Sequence, residues 1–116
     1  MMIKTALIGL GRIGWQFHLP EILRHSEYSL VAVVDPLEAR LNEAKDNYNV
    51  RGYTDHTAML KAEKPDLVVI ASPTMFHEEQ ALAAFAAGCD VLLDKPMSYD
   101  LASANRIADA AKQYGK

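Results

Sequence analysis

Short apolar runs alternate with amphipathic stretches along the chain, regularly enough to set its fold class. Ile3–Ile8 is an apolar run ending at a glycine; residues 30–34 are mostly β-branched and end at Asp35; residues 67–71 follow Pro65; residues 91–93 end at Asp94. Each run is too short for a helix and nearly all apolar, which predicts strands of a parallel sheet buried on both faces. A weaker strand is expected over residues 50–53.

The intervening stretches read as helices. Residues 12–24 carry Ile13, Phe17, Ile22 and Leu23, and Pro20, which lacks an amide hydrogen, is expected to bend or restart the helix. Residues 37–48 place Leu37, Leu41, Ala44 and Tyr48 at helical spacing. Thr54 is the expected cap of a short helix reaching Leu60, and the alanine-rich stretch 76–87 should stop at Gly88. A last helix over residues 100–114 sets Leu101, Ala104, Ile107, Ala108 and Ala111 on one stripe.

Strands and helices that alternate with short connections imply an α/β, doubly wound parallel sheet in three layers, α/β/α. About five strands in the order 3-2-1-4-5 are expected, a Rossmann arrangement lacking the sixth strand of a full dinucleotide fold. The 116 residues are read as one dinucleotide-binding domain, with a substrate-binding domain absent. The last strand and last helix are then expected to be partly uncovered, a place for self-association.

Composition narrows the partners. A formal charge of −3 with mixed signs supplies no footprint for a nucleic-acid backbone. No apolar run approaches the roughly 20 residues that span a bilayer. The single Cys89 cannot form an intramolecular disulfide and reads as a small core residue. A cytoplasmic protein is expected, with no membrane, nucleic-acid or metal site.

Candidate chemistry lies where the strands end. Gly9-Leu10-Gly11-Arg12-Ile13-Gly14 begins as the first strand stops and continues into a helical pattern. Gly9 permits a tight turn, Gly11 lets the backbone approach a pyrophosphate, and Gly14 lets helix and strand lie close. The helix start then presents amide hydrogens, including those around Arg12 and Ile13, to the anion. Asp35 follows Gly14 by 21 residues and ends the second run, where a carboxylate can accept both hydroxyls of an adenosine ribose. It also repels a 2′-phosphate: at about 4 Å each pair of unit charges costs on the order of 1 kcal/mol in water and about 4 kcal/mol at a partly screened surface. NAD is therefore expected over NADP, although Arg40, one turn on, would soften the choice if it faced the ribose.

Two further stretches should border the same crevice. In Ser72-Pro73-Thr74-Met75-Phe76-His77, Pro73 stiffens the turn after the strand and Thr74 offers a hydroxyl to cap the next helix or touch a cofactor. Taken alone, His77 reads as a surface or capping residue. In Asp94-Lys95-Pro96, an ammonium at the strand end is placed for general acid or base work, though taken alone it reads as a solvated lysine.

Together these stretches resemble the Gfo/Idh/MocA oxidoreductases, which include glucose-fructose oxidoreductase, inositol dehydrogenases and other sugar dehydrogenases. The resemblance runs from Ile3 to the final helix and rests on Gly9-x-Gly11-x-x-Gly14 with His18 and Pro20, Val33-Val34-Asp35, Ser72-Pro73-Thr74-x-x-His77 and Lys95-Pro96. It implies that Gly9, Gly11, Gly14 and Asp35 hold NAD(P), that Thr74 and His77 lie beside the nicotinamide ribose, and that Lys95 meets both substrate and nicotinamide. The family's Glu-Lys-Pro motif is here Asp94-Lys95-Pro96, one methylene shorter at its first position. His18 and Pro20 are assigned to helix geometry and packing. The function this resemblance implies is that of the NAD-binding part of an oxidoreductase, which moves a hydride to or from a carbon bearing a hydroxyl, in a sugar or polyol, with Lys95 assisting the proton. The substrate is met only in a longer protein, and this chain is expected to bind NAD without turning over sugars. The alternative is a stand-alone nucleotide-binding module acting through a partner protein. An S-adenosylmethionine methyltransferase would share the sheet and glycine turn, yet has no use for the Pro-Thr-x-x-His and Lys-Pro stretches.

Overall fold

The computed structural model describes residues 2–94 and 101–115. The strands are β1 (Ile3–Ile8), β2 (Tyr28–Val34), β3 (Arg51–Tyr53), β4 (Leu67–Ile70) and β5 (Asp90–Leu93). The helices between and after them are α1 (Leu19–Arg24), α2 (Glu38–Tyr48), α3 (His56–Glu63), α4 (His77–Ala86) and α5 (Leu101–Gln113). The sheet has five strands in the order β3-β2-β1-β4-β5, every pairing is parallel, and the expected doubly wound architecture is found.

Alternation along the strands feeds two apolar layers. On one face Ala6, Ile8, Val34, Val68 and Ile70 pack with Met59, Leu60, Ala81, Phe85, Ile107 and Ala110 from α3, α4 and α5. On the other, Leu7, Val33 and Val69 meet Leu19, Ile22 and Ala44 from α1 and α2. A buried Leu, Ile or Val side chain contributes about 1.5–3 kcal/mol, so the β1, β2 and β4 residues facing both layers anchor the domain. Strand β5 departs from the expectation of burial on both faces: Leu92 is 52% exposed, because no described helix covers that end of the sheet on the α1 side.

Several helical details differ from the sequence reading. Residues 14–18 form a π-helical turn in which the Leu19 N–H reaches the Gly14 carbonyl, and the α-helical pattern resumes with Pro20 in its first turn. Pro20 has no amide to give the Gln16 carbonyl, so the wider turn falls beside the expected restart. The extra residue rotates the apolar stripe: Ile13 and Phe17 are exposed, while His18, Leu19 and Ile22 are buried. In α2, Ala44 is buried but Leu37 and Tyr48 are exposed, the Tyr48 ring meeting Trp15 edge-on at 5.8 Å.

Helix α3 is capped by Asp55, whose carboxylate accepts the Thr57 amide at 3.3 Å, and not by Thr54. The carboxylate is the stronger acceptor and stands one residue closer to the first free amides. In α5 the buried positions are Ile107 and Ala110, with Ala111 packed beside them; Leu101 is 76% exposed and lies off the stripe expected for it. Gly88 ends α4 as expected, its N–H bonding the Phe85 carbonyl at 2.9 Å. Among the described residues, no helix is long and apolar enough to cross a membrane.

Candidate functional site

Four backbone hydrogen bonds align the strand exits along the carboxyl edge of the sheet. Asp35 N–H reaches the Tyr53 carbonyl at 3.0 Å, Gly9 N–H reaches Val34 at 2.7 Å, Ala71 N–H reaches Ile8 at 2.8 Å, and Asp94 N–H reaches Ile70 at 3.0 Å. Each exit residue extends its strand's ladder by one bond, so Asp35, Gly9, Ala71 and Asp94 stand in a row. A groove of about 700 Å³ runs over this row. Gly9, Gly11, Arg12, Ile13, Asp35, Ser72, Pro73 and Thr74 all line it, with Arg40, Gln80 and Asp94 among its other wall residues.

The glycines divide by role. Gly9 has φ +99°, and a Cβ there would stand 2.6 Å from the Ser72 nitrogen, so the turns after β1 and β4 touch only because position 9 has no side chain. A Cβ on Gly14 would lie 1.9 Å from the Gly9 carbonyl oxygen, which puts the start of the helix in contact with the strand end. Gly11 is uncrowded: the nearest atom to its missing Cβ is Arg40 Nη1 at 3.8 Å. The space before it opens into the groove, and a side chain would fill it. Trp15 N–H bonds the Gly11 carbonyl at 2.8 Å, and the amides just ahead of it occupy the turn where a helix has no carbonyl to offer them.

Asp35 is 2% exposed, and its carboxylate is already engaged. Oδ2 accepts the Leu10 amide at 2.9 Å and an Arg40 N–H at 3.3 Å, while Oδ1 accepts the Leu37 amide at 2.9 Å. An ionised carboxylate offers about four acceptor positions, so three are used within the chain. The sequence reading gave Asp35 to a ribose; the structure adds that it ties the glycine turn to the start of α2. Arg40, its side chain 46% exposed, stands between Asp35 and a hollow of about 240 Å³ that Arg12, Trp15 and Gln16 also line.

The turn after β4 is braced from behind. His77 is 1% exposed, so it is neither a surface nor a capping residue, and its Nε2 lies 2.7 Å from the Ser72 carbonyl. A carbonyl can only accept, so Nε2 carries the proton. The Ser72 hydroxyl donates to Gln80 Oε1. Thr74 starts a short 3-10 turn without capping it through its side chain, which leaves its hydroxyl for the groove. His77 and Gly14 therefore support the groove from behind, and the other described residues named from sequence line it. Lys95 and Pro96 lie outside the described residues.

Sequence reasoning missed two contributors. The Leu10 amide, which Asp35 holds, is a backbone donor, and the Leu10 side chain is spent in the core on the α1 and α2 side, so nothing in the residue type marks the role. His18 was assigned to packing, yet its Nε2 points at Asp94 Oδ1 from 3.5 Å. The signal available was a histidine four residues past Gly14, which only a resemblance could single out.

Residues 3–116 match the model of the Gfo/Idh/MocA oxidoreductase family, NAD-binding Rossmann fold. The chain is 34% identical over 115 residues to the D-glucoside 3-dehydrogenase of Escherichia coli strain K12, covering 98% of this chain and 33% of that protein. It is 37% identical over 118 residues to an inositol 2-dehydrogenase of Streptomyces avermitilis, covering 99% and 34%. Among solved structures, scyllo-inositol dehydrogenase from Lactobacillus casei with bound NAD(H) and scyllo-inositol superimposes with a TM-score of 0.93 at 29% identity, covering 99% of this chain and 34% of that one. The chain thus spans about a third of the length of the relatives it matches. On the family match along nearly its whole length, with the glycine turn and Asp35 facing one groove, the chain belongs to the Gfo/Idh/MocA oxidoreductases as an NAD-binding Rossmann fold.

Proposed function

We propose that this chain holds NAD for a dehydrogenase that moves a hydride between the nicotinamide and a hydroxyl-bearing carbon of a sugar or polyol. The observation that carries the reading is the open space in front of Gly11, in a groove that also presents Asp35 and Thr74. The pyrophosphate would lie against the amides that follow Gly9, where the partial positive charge of a helix start favours an anion. The adenosine ribose would lie toward Asp35, with Arg40 turning aside to free an acceptor position. The second nucleoside would then pass over Ser72, Pro73 and Thr74 toward Asp94, since the β2 to β5 exits are three strand spacings apart, roughly 14 Å.

When bound, the nicotinamide supplies or accepts the hydride. The chain orients it, and Lys95 would hold and relay the proton of the substrate hydroxyl, the role its family resemblance implies. The named relatives act on glucosides and inositols, which supports a cyclic polyhydroxy substrate met in a longer polypeptide. NAD is preferred over NADP because Asp35 stands where a 2′-phosphate would come. Calorimetric titration of the chain with each dinucleotide tests this reading. NAD should bind at least about tenfold more tightly than NADP, a difference of about 1.4 kcal/mol. Failure of both to bind would end the reading. The half-exposed Leu92, on the face of β5 that no described helix covers, supports self-association through that end of the sheet, and a monodisperse monomer in sedimentation at micromolar concentration would count against it.

A further inference from the structure

Of the two buried polar side chains that the cofactor reading leaves unused among the described residues, Thr5 is bonded to the Ile3 carbonyl and His18 is not satisfied. His18 is 9% exposed, and its Nε2 is sealed from solvent with no hydrogen-bond partner among the described residues. A buried ring nitrogen without a partner is uncommon and calls for an explanation. The turn that delivers it is the π-helical one, a geometry that recurs at functional sites. The Phe17 ring stands edge-on to the imidazole at 5.1 Å, and a hollow of about 310 Å³ beside it is lined by Thr5, Phe17, Ile22, Val69 and Leu92. The hollow's two carboxylates, Glu21 and Glu27, are paired with Arg24 and His25 and not with His18. The acceptor within reach is Asp94 Oδ1 at 3.5 Å, on a side chain 30% exposed and lining the groove on its other side. The backbone of Asp94 is held by Ile70, so its carboxylate is what remains free to turn, and a small rotation closes 3.5 Å to the 2.9 Å or so of a hydrogen bond.

We propose that His18 is a positioning residue: its Nε2–H holds the Asp94 carboxylate on the groove wall at the end of β5, where the nicotinamide half of the dinucleotide lies. The proposal rests on the cofactor reading above, which places the adenosine half at Asp35 and the other half at Asp94. His18 touches no ligand and acts through Asp94. A histidine at this place in the π-turn, and not merely an apolar residue, is then needed because a carboxylate with one fixed oxygen presents its other oxygen in one direction.

The test compares NAD with ADP-ribose, which has everything but the nicotinamide, by calorimetry on the full chain. His18→Ala and Asp94→Ala should each weaken NAD about tenfold while ADP-ribose changes less than about twofold. The double variant should be no weaker than the weaker single one, as expected for groups acting as a unit. His18→Gln, whose amide nitrogen reaches about the place of Nε2, should recover most of the loss. Equal loss of both ligands, unchanged NAD affinity, or effects that multiply in the double variant would each overturn the proposal. If His18→Ala fails to fold, His18→Gln and Asp94→Ala carry the same comparison. Should the wild-type chain bind neither nucleotide, the cofactor reading fails, and the pair is decided by imidazole ¹⁵N NMR of the ligand-free chain. An Nε2–H tautomer lost in Asp94→Ala supports it, and an Nδ1–H tautomer in the wild type overturns it.

Discussion

Asp35 Oδ2 accepts the amide of Leu10 at 2.9 Å across the junction of β1 and β2, so the acid we propose for the ribose also secures the turn proposed to meet the pyrophosphate. On the proposed reading, binding and folding are coupled at this one side chain.

Asp35→Ala should therefore lose stability as well as nucleotide affinity. It strands the buried Leu10 amide and removes the bond to Leu37, a cost of about 2 kcal/mol or more. Urea denaturation would measure it, and a variant as stable as wild type would show that the carboxylate serves the ligand alone.

The glycines of the turn should separate under alanine substitution. Gly14→Ala drives a Cβ into the Gly9 carbonyl at 1.9 Å and should cost about 3 kcal/mol. Gly11→Ala meets nothing nearer than 3.8 Å and should fold normally, yet bind NAD at least about tenfold more weakly. Thermal melts and calorimetry on both variants give the contrast; a Gly11→Ala protein with full affinity would move the diphosphate elsewhere.

Arg40 is paired with Asp35 and exposed to the hollow shared with Arg12, so on the proposed reading it is the residue that would temper rejection of a 2′-phosphate. In Arg40→Ala the preference for NAD over NADP should widen by about tenfold, chiefly through weaker NADP binding. A ratio that narrows instead would assign the arginine to the pyrophosphate or the adenine.

Acid should loosen the contact between α4 and α5. Glu78 receives Arg106 Nε at 2.6 Å and Ser103 Oγ at 2.7 Å, and these bonds hold its carboxyl down to about 2 from an ordinary 4.5. Because the folded value is the lower one, the stabilisation is fully present above about pH 4.5 and is lost as pH falls towards 2. In Arg106→Met the fall in stability across that window should be shallower. Denaturation at stepped pH measures the slope, and an unchanged slope would mean that other carboxylates carry it.

The sheet was legible in the sequence because four of its strands are apolar runs, three of them ending at a glycine or an acid, and short connections leave few ways to join them. The groove residues were legible for the same reason, since a doubly wound sheet brings strand exits together whatever the side chains are. Residues 12–24 show where that reading stops. A period of 3.6 puts Ile13 and Phe17 on the buried stripe, but the π-turn inserts one residue per turn and sends His18 inwards instead. Helix α3 shows a second limit: Thr54 and Asp55 are both good caps, and the choice between them is made by tertiary position. His77 is a third, for burial against the Ser72 carbonyl depends on a turn whose path spacing does not give.

Cys89 lies at 0% exposure beneath α4, with its thiol directed at the Pro65 carbonyl 3.1 Å away. As the chain's single sulfhydryl, it can react with a dissolved reagent such as Ellman's only after the layer above it lifts. The rate of labelling in native buffer is thus a stopwatch for opening of the protein, readable without attaching a reporter beforehand. Run with and without dinucleotide, it converts occupancy of a distant crevice into a colour change.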